Sequence, residues 1–489
     1  MNRENVKKLI CLGLCIVLFA AFSFAVPDFW NYDISYKNEK LDVHIPNEIE
    51  ADVLEQKFTL PVLYVYSYEK DKLFSDWVWS DGGLAMPLRE ESSVDLYVFD
   101  RDDNSPAYIP SHVYYDEMMK LRGRSSSYAQ DKKPMSLEFR NDEGLPVNYN
   151  FMDFAAESDF VFHAPYIDRS LVRNFVAYNL QTQITDWAPH CQFAEVFVDT
   201  PDSTLSMDDY EGVYLIVEKI KQDKNRIAMG EYTTPENMDN IFRNGGNIIW
   251  KRDHYEEGFD KAIRLERNRF GNRYSIDHPK AEDADDAAIA AIKNEIEFFE
   301  TALYEGTDEE FAQHYDVEQI ARIMLLTEFV KNYEGFTSSF FYYRTRGEKI
   351  KAVQWDFDIG TGNDDYEEDL SNAYGFYIIT NDKTQQYIMH RNFRDALISQ
   401  WKQLRMEGGV FSEENIVALL EDAETQLEGA WQRNDEKYED IFGDNIPFGN
   451  KRSGNNLENS QQEREYIKQF LIERGRWLDE HIDEIAELY

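Results

Sequence analysis

The stretch from Asp316 to Phe329 constrains the fold more than any other part of the chain. Ile320, Ile323, Met324 and Phe329 recur at helical spacing behind the capping pair Asp316 and Gln319, and the other sides of the wheel are apolar as well. A helix apolar nearly all round has no face for water, so it has to be buried. The chain then changes period. Phe340 to Arg344 and Ile350 to Asp358 are strand-like runs either side of Thr345-Arg346-Gly347-Glu348, which reads as a hairpin.

Elsewhere the two periods keep to different regions. From about Asp33 to Phe139 short β-type runs dominate, such as Leu60 to Tyr66 and Val94 to Phe99, each ended by acidic or Gly turns. Asp168 reads as the N-cap of a helix carrying Leu171, Val172, Phe175, Val176 and Leu180. Two strands follow, Phe193 to Val198 and Gly212 to Glu218, joined by the polar loop Asp199 to Asp209. The tail from Glu413 to Leu488 is mostly helical, interrupted by the Asn- and Gly-rich stretch Asn445 to Asn456. This is an α+β protein with a helical C-terminal part and a β-rich N-terminal segment. Hydrophobic residues at 43% and aromatics at 15% can build a large core. They have to, because Cys191 is the only thiol beyond the first 26 residues and no internal disulfide can form.

Charge narrows the partners. With 93 acidic against 51 basic residues the chain carries −42, which excludes nucleic-acid binding through phosphate neutralisation and argues against a polybasic membrane-surface role. Arg3, Lys7 and Lys8 precede an uncharged apolar run, Leu9 to Val26, and Ser23-Phe24-Ala25 supplies small residues at the position a signal peptidase reads. A cleaved export signal over residues 1–25 is the reading; an uncleaved membrane anchor is the alternative, and lipid attachment at Cys15 a weaker third. An exported monomer is expected, periplasmic, surface-bound or extracellular, without membrane insertion apart from this segment. The domain reading is a β-rich N-terminal segment over 26–110 followed by one domain over 111–489.

Chemistry is suggested in five places. Arg122-Gly123-Arg124-Ser125-Ser126-Ser127, with Lys132 and Lys133 ahead of a strand, can offer backbone N–H groups and an ammonium to phosphates; a solvated basic turn is the plain alternative. Glu218 closes an apolar strand and gains meaning if it holds Lys133, because a phosphate-contacting lysine needs a fixed partner. Gly245-Gly246-Asn247 leads into a strand ending at Lys251. Asn332-Tyr333-Glu334-Gly335 follows the buried helix, and Trp355-Asp356-Phe357-Asp358 ends the hairpin's second strand. Period two puts Asp356 and Asp358 on one face with Gln354, and two facing carboxylates call for a cation or a shared proton. A strand end whose acids face water is the alternative. Glu334 would stand near them if the hairpin folds back on its loop.

Taken in order, these pieces resemble the CotH kinase family, named for spore coat protein H. The resemblance runs from about Arg122 to Leu478 through Arg122-Gly123-Arg124-Ser125-Ser126 with Lys132-Lys133, His163-Ala164-Pro165-Tyr166-Ile167-Asp168, Leu171-Val172-Arg173-Asn174, Glu211-Gly212-Val213-Tyr214-Leu215 with Glu218, Gly245-Gly246-Asn247, Asn332-Tyr333-Glu334-Gly335-Phe336, Trp355-Asp356-Phe357-Asp358 and Phe470-Leu471-Ile472-Glu473-Arg474. It implies an atypical protein-kinase-like fold that uses ATP and Mg or Mn to phosphorylate Ser or Thr of secreted or surface proteins. Carried over by residue, it implies nucleotide binding by Arg124, Ser126, Lys133, Glu218 and Lys251, metal binding by Asp356, Asp358 and Ser339, and catalysis by Glu334. Two departures stand out. Glu334-Gly335-Phe336 replaces Asp-Gly-Phe, and Ser339 stands where Asn is common.

Three function classes follow. The first is an exported kinase, in which Glu334 accepts the proton of a substrate hydroxyl. The second is a non-catalytic relative serving as a surface binding or assembly module. The third, ranked last, is a glycosidase using paired acids such as Glu218 and Glu334.

Overall fold

Seven of the short apolar runs pair into a closed barrel. Its strands are β1 (Val62–Ser67), β2 (Glu91–Phe99), β3 (His112–Leu121), β4 (Met135–Glu138), β5 (Asp159–His163), β6 (Cys191–Asp199) and β7 (Tyr210–Glu218). The order is β1-β2-β3-β4-β5-β7-β6, returning to β1. Every pairing is antiparallel except the closing one, where β1 lies parallel to β6 with Val62 opposite Glu195 and Tyr66 opposite Asp199. The structure is a computed structural model that describes residues 48–74, 77–79, 85–87, 90–100, 110–123, 126–127, 130–201, 203–235, 245–252, 263–363, 370–442 and 457–488. The signal expected over 1–25, Arg124 and the whole Asn445 to Asn456 stretch lie outside these residues, all of which belong to one unit, Ile45–Tyr489.

Alternation sorts the strand residues between two cores. Leu63, Val65, Leu96, Val98, Phe160, Phe162, Val196, Tyr214 and Ile216 fill the barrel. Val161, Phe193, Val213, Leu215 and Val217 point the other way and join the larger core of the helical part. Both faces of β7 are therefore covered, which is why its sequence reads as one continuous apolar run. The stretch ahead of residue 110 supplies β1 and β2 to the same barrel as β3 to β7.

The second layer is a five-stranded sheet of β8 (Ile248–Arg252), β9 (Ile263–Arg264), β10 (Ser275–His278), β11 (Phe340–Arg344) and β12 (Lys351–Gln354), in the order β9-β10-β8-β11-β12. The helices that matter here are α1 (Arg173–Thr182), α2 (Asp286–Tyr304), α3 (Val317–Phe329), α4 (Arg391–Arg405), α5 (Glu413–Leu427), α6 (Ala430–Lys437) and α7 (Ser460–His481). The helix expected to be buried is α3, and it packs against α1, α4, α7 and β12. Asp316 caps it through the Gln319 N–H at 3.1 Å. The Gln319 amide does not return to the cap. It accepts from Ala352 N–H at 2.9 Å and donates to Ala352 O at 2.7 Å, fixing α3 to β12.

Two local expectations are corrected. Helix α1 begins at Arg173, not beside Asp168: Leu171 takes a left-handed backbone (φ 69°), and Asp168 Oδ2 accepts the Arg173 N–H at 2.8 Å from outside the helix. The hairpin's second strand ends at Gln354, because Asp356 is left-handed (φ 67°) and turns the chain out of the sheet.

Candidate functional site

The acids Asp356 and Asp358 are brought together by that turn and not by strand alternation. The Asp358 backbone lies against the Asp356 carboxylate and favours its charged form. Gln354, expected on the same face, is instead wholly buried, its amide donating to the carbonyls of Ser338 (3.2 Å), Ser339 (3.3 Å) and Trp355 (2.6 Å).

The turn is held from every side. Asn332 Nδ2 donates to Asp356 O at 2.9 Å, and Asn363 Nδ2 to Asp358 O at 2.8 Å. From α1, Asn174 Oδ1 accepts the Phe357 N–H at 2.9 Å while its Nδ2 donates to Asp358 Oδ1 at 2.5 Å. Arg173, paired with Asp168 at 2.6 Å, donates to Gly360 O at 3.0 Å and Thr361 O at 3.3 Å. The loop after α3 lies alongside, with Tyr333 N–H on Ile359 O at 2.9 Å and Trp355 N–H on Ser339 O at 3.0 Å. Lys331, Phe336, Ser339 and Asp356 all have φ between 46° and 67°. Left-handed backbone at non-glycine residues costs on the order of 1–3 kcal/mol each and gathers at sites where function demands the shape.

His163, at the end of β5, places Nε2 3.2 Å from Asp358 Oδ1 and 3.0 Å from Asn174 Nδ2. Burial and the facing Asp358 carboxylate push the Asp356 carboxyl up to about 6, against the pull of His163 and Arg122. Burial favours a neutral His163, but Asp358 and Asp356 outweigh it, so its pKa lies above the usual imidazole value. Part of the neutralisation expected from a metal is thus supplied by His163 and Arg122. Among the described residues no three His, Cys, Asp or Glu side chains form a ready metal cage. The donor set still fits Mg or Mn, which binds through one or two carboxylates and takes its remaining oxygens from phosphate and water.

Glu334 and Ser339 sit on the loop joined to this turn; the Glu334 carbonyl accepts from Thr337 and Ser338 N–H at 3.0 Å. The other expected residues lie elsewhere or have other partners. The Lys133–Glu218 pair does not form. Lys133 Nζ donates instead to Ser127 O at 3.1 Å and Gln130 O at 2.5 Å. Glu218 is buried against Arg226 at 2.6 Å and His190 at 2.8 Å. Lys251 lies 3.6 Å from Asp277, its Nζ 5.2 Å from the Phe341 ring centroid. Ser126 is half-buried beside Gly123, where a β-carbon would meet its hydroxyl at 2.2 Å. His163 and Asn174 belong to the resembling motifs without an assigned role, and their one signal is a polar residue inside an otherwise apolar run; Arg122 heads the basic loop read as a phosphate candidate but has no role toward the acids there.

The sequence profile of the family described as CotH kinase protein matches residues 119–478, well over half of the chain. The chain belongs to the CotH kinase family. Inner spore coat protein H of Bacillus subtilis (strain 168) is 22% identical over 339 residues, covering 67% of this chain and 77% of its own length. The acid turn, His163, Asn174 and the loop bearing Glu334 all fall within the CotH match.

Proposed function

We propose that this CotH-family chain is an exported protein kinase of atypical kinase-like fold that transfers the ATP γ-phosphate to Ser or Thr of secreted or surface proteins. The observation that carries the reading is the rigidly held pair Asp356 and Asp358, two carboxylates facing each other beside a loop that bears a third acid. Asp356 and Asp358 would hold Mg or Mn, which when bound neutralises charge on the phosphates. His163 and Asn174 fix the Asp358 carboxylate. Glu334 accepts the proton of the attacking hydroxyl. One observation favours a non-catalytic surface-assembly role instead: Lys133 and Glu218 have other partners, so the expected lysine–acid pair is missing. Glu218, buried and paired with Arg226 and His190, is poorly placed to meet a glycosidic bond.

The test is incubation of the chain lacking residues 1–25 with labelled ATP and Mn or Mg. Label transfer is expected, and Asp356→Asn should abolish metal-dependent ATP binding. Glu334→Gln should keep ATP binding and slow transfer by about a hundred- to ten-thousand-fold. A wild-type chain that transfers nothing, with Glu334→Asp plus Ser339→Asn restoring transfer, would establish the non-catalytic reading.

A further inference from the structure

Strand β8 ends in two cations that take opposite faces. Period two groups Ile249 with Lys251, and Ile248 and Trp250 with Arg252; Ile249 belongs to a smaller apolar cluster with Phe341, whereas Ile248 and Trp250 belong to the larger core. Lys251, the one the resemblance assigns to nucleotide, lies near the Phe341 ring and Asp277. Arg252 stands opposite Phe340 of β11, and its guanidinium serves two acceptors. Nη1 donates to Phe336 O at 3.1 Å and Nη2 to Asn272 Oδ1 at 2.7 Å. Phe336 is the left-handed residue (φ 63°) two places after Glu334 and three before Ser339. Its side chain is wholly buried, the ring stacked on Phe340 with centroids 4.2 Å apart, and its N–H donates to Gln354 Oε1 at 3.4 Å. Ring, N–H and carbonyl are thus each held by a different group. The other end of the Arg252 bridge is fixed as well. Asn272 Nδ2 donates to Glu300 Oε1 at 2.6 Å and to Tyr304 Oη at 3.0 Å, both on α2, and the Tyr274 hydroxyl donates to the same Glu300 oxygen at 2.7 Å.

We infer that Arg252 is a positioning residue for phosphate transfer, holding the Phe336 carbonyl so that the loop bearing Glu334 stays docked on the acid turn. This rests on the kinase reading and adds to it the element that fixes the base. Left-handed backbone at a phenylalanine persists only where its surroundings over-determine it. Arginine suits the task because its planar fork presents donors in fixed directions, whereas a lysine ammonium is a point charge on a flexible stem. Removing the fork leaves the Phe336 carbonyl without this donor and lets the loop relax. A shift of ~1 Å in a catalytic group costs on the order of a hundred-fold in rate, even when its cause lies far from the chemistry.

The probe is a synthetic peptide carrying one Ser among Lys and Arg residues, labelled by the chain lacking residues 1–25 with ATP and Mn. Arg252→Met should lower kcat by about a hundred-fold while the Mn-dependent affinity for ATP, read by calorimetry, stays at the wild-type value. Arg252→Lys keeps the charge without the fork and should fall between. Added to Glu334→Gln, Arg252→Met should cost little more, because the group it positions is already gone. A packing role alone would lower the melting temperature and leave kcat as it is, which would overturn the inference. A full further loss in the Glu334→Gln background, or ATP affinity falling in step with kcat, would overturn it too. Should Arg252→Met fail to fold by circular dichroism, Arg252→Lys decides: kcat equal to wild type refutes the positioning. A wild type that labels nothing refutes the kinase reading, and hydrogen exchange over residues 333–339 then decides the hold by itself. Faster exchange in the Arg252 variant keeps Arg252 as the anchor of the loop, and unchanged exchange refutes it.

Discussion

Lys132 gives the sharpest quantitative test of the packing between barrel and helices. Its side chain is wholly buried, donating to Val213 O and to Asn434 Oδ1 of α6, with Nζ 5.2 Å and 5.4 Å from the ring centroids of Tyr214 and Tyr438. Burial outweighs the attraction of Asp435 and Glu211 and brings its pKa down to about 7. An unfolded lysine titrates near 10.4, so between about 7 and 10.4 the unfolded chain binds the extra proton and stability must rise with pH. The full slope is about 1.4 kcal/mol per pH unit, and the integrated gain from pH 7 to pH 9 is about 2 kcal/mol, since the group is half-titrated at the start. Below pH 7 both states are protonated and the gain disappears. The neutral amine keeps two N–H groups for its two acceptors, so deprotonation leaves no hydrogen bond unmade. Lys132→Met keeps the length of the side chain and removes the titration; Asn434 Oδ1 still accepts the Val213 N–H at 3.1 Å, so at most Val213 O loses its donor, at a cost of about 1–3 kcal/mol. Denaturant unfolding of both proteins at pH 7, 8 and 9 reads the difference directly. Wild type should gain about 2 kcal/mol on the variant over that range. Parallel stability curves would refute the reasoning.

Four further outcomes follow from the geometry. His163→Ala should weaken Mn binding by about ten- to a hundred-fold with folding intact, as loss of a group orienting a ligating carboxylate does; unchanged affinity by calorimetry would mean that Asn174 alone orients Asp358. Arg474→Met removes the partner of Glu328, both wholly buried, and should cost about 3–5 kcal/mol in a thermal melt. Gly212→Ala forces a side chain onto φ 92° with its β-carbon 2.7 Å from Asn434 Oδ1, and should cost about 1–3 kcal/mol by the same measurement. Labelling of a basic substrate should slow as salt rises, because a chain at −42 attracts it through a field screened beyond about 8–10 Å; equal rates at low and high salt would remove the steering idea.

Periodicity revealed what one element decides for itself and missed what several decide together. Helix α3 was legible because all of its sides are apolar, and β6, β7 and the hairpin because apolar runs end at clear turns. The acid pair was legible as two carboxylates two residues apart, yet the strand face proposed for it was wrong. Nothing in Trp355-Asp356-Phe357 announces a left-handed aspartate; the turn is imposed by Asn174, Asn332 and Tyr178 from elsewhere in the chain. The expected pairing of Lys133 with Glu218 failed for the same reason, since which carbonyls surround an ammonium is a tertiary fact. His163 and Asp358 are far apart in sequence, and no spacing rule connects them.

The parallel seam between β1 and β6 bears on what can be cut from this protein. The CotH match starts at residue 119, inside β3, whereas the barrel needs β1 and β2 to meet β6. A fragment trimmed to the recurring part would open the barrel into a sheet and expose two unpaired margins, one along β6 and one beside the stub of β3. Bare margins of that kind recruit strands from neighbouring molecules and seed aggregates. What is shared among relatives and what can stand alone in water are therefore different lengths of chain. Here the residues ahead of the shared part act as an internal guard, keeping the recurring portion from sticking to its own copies.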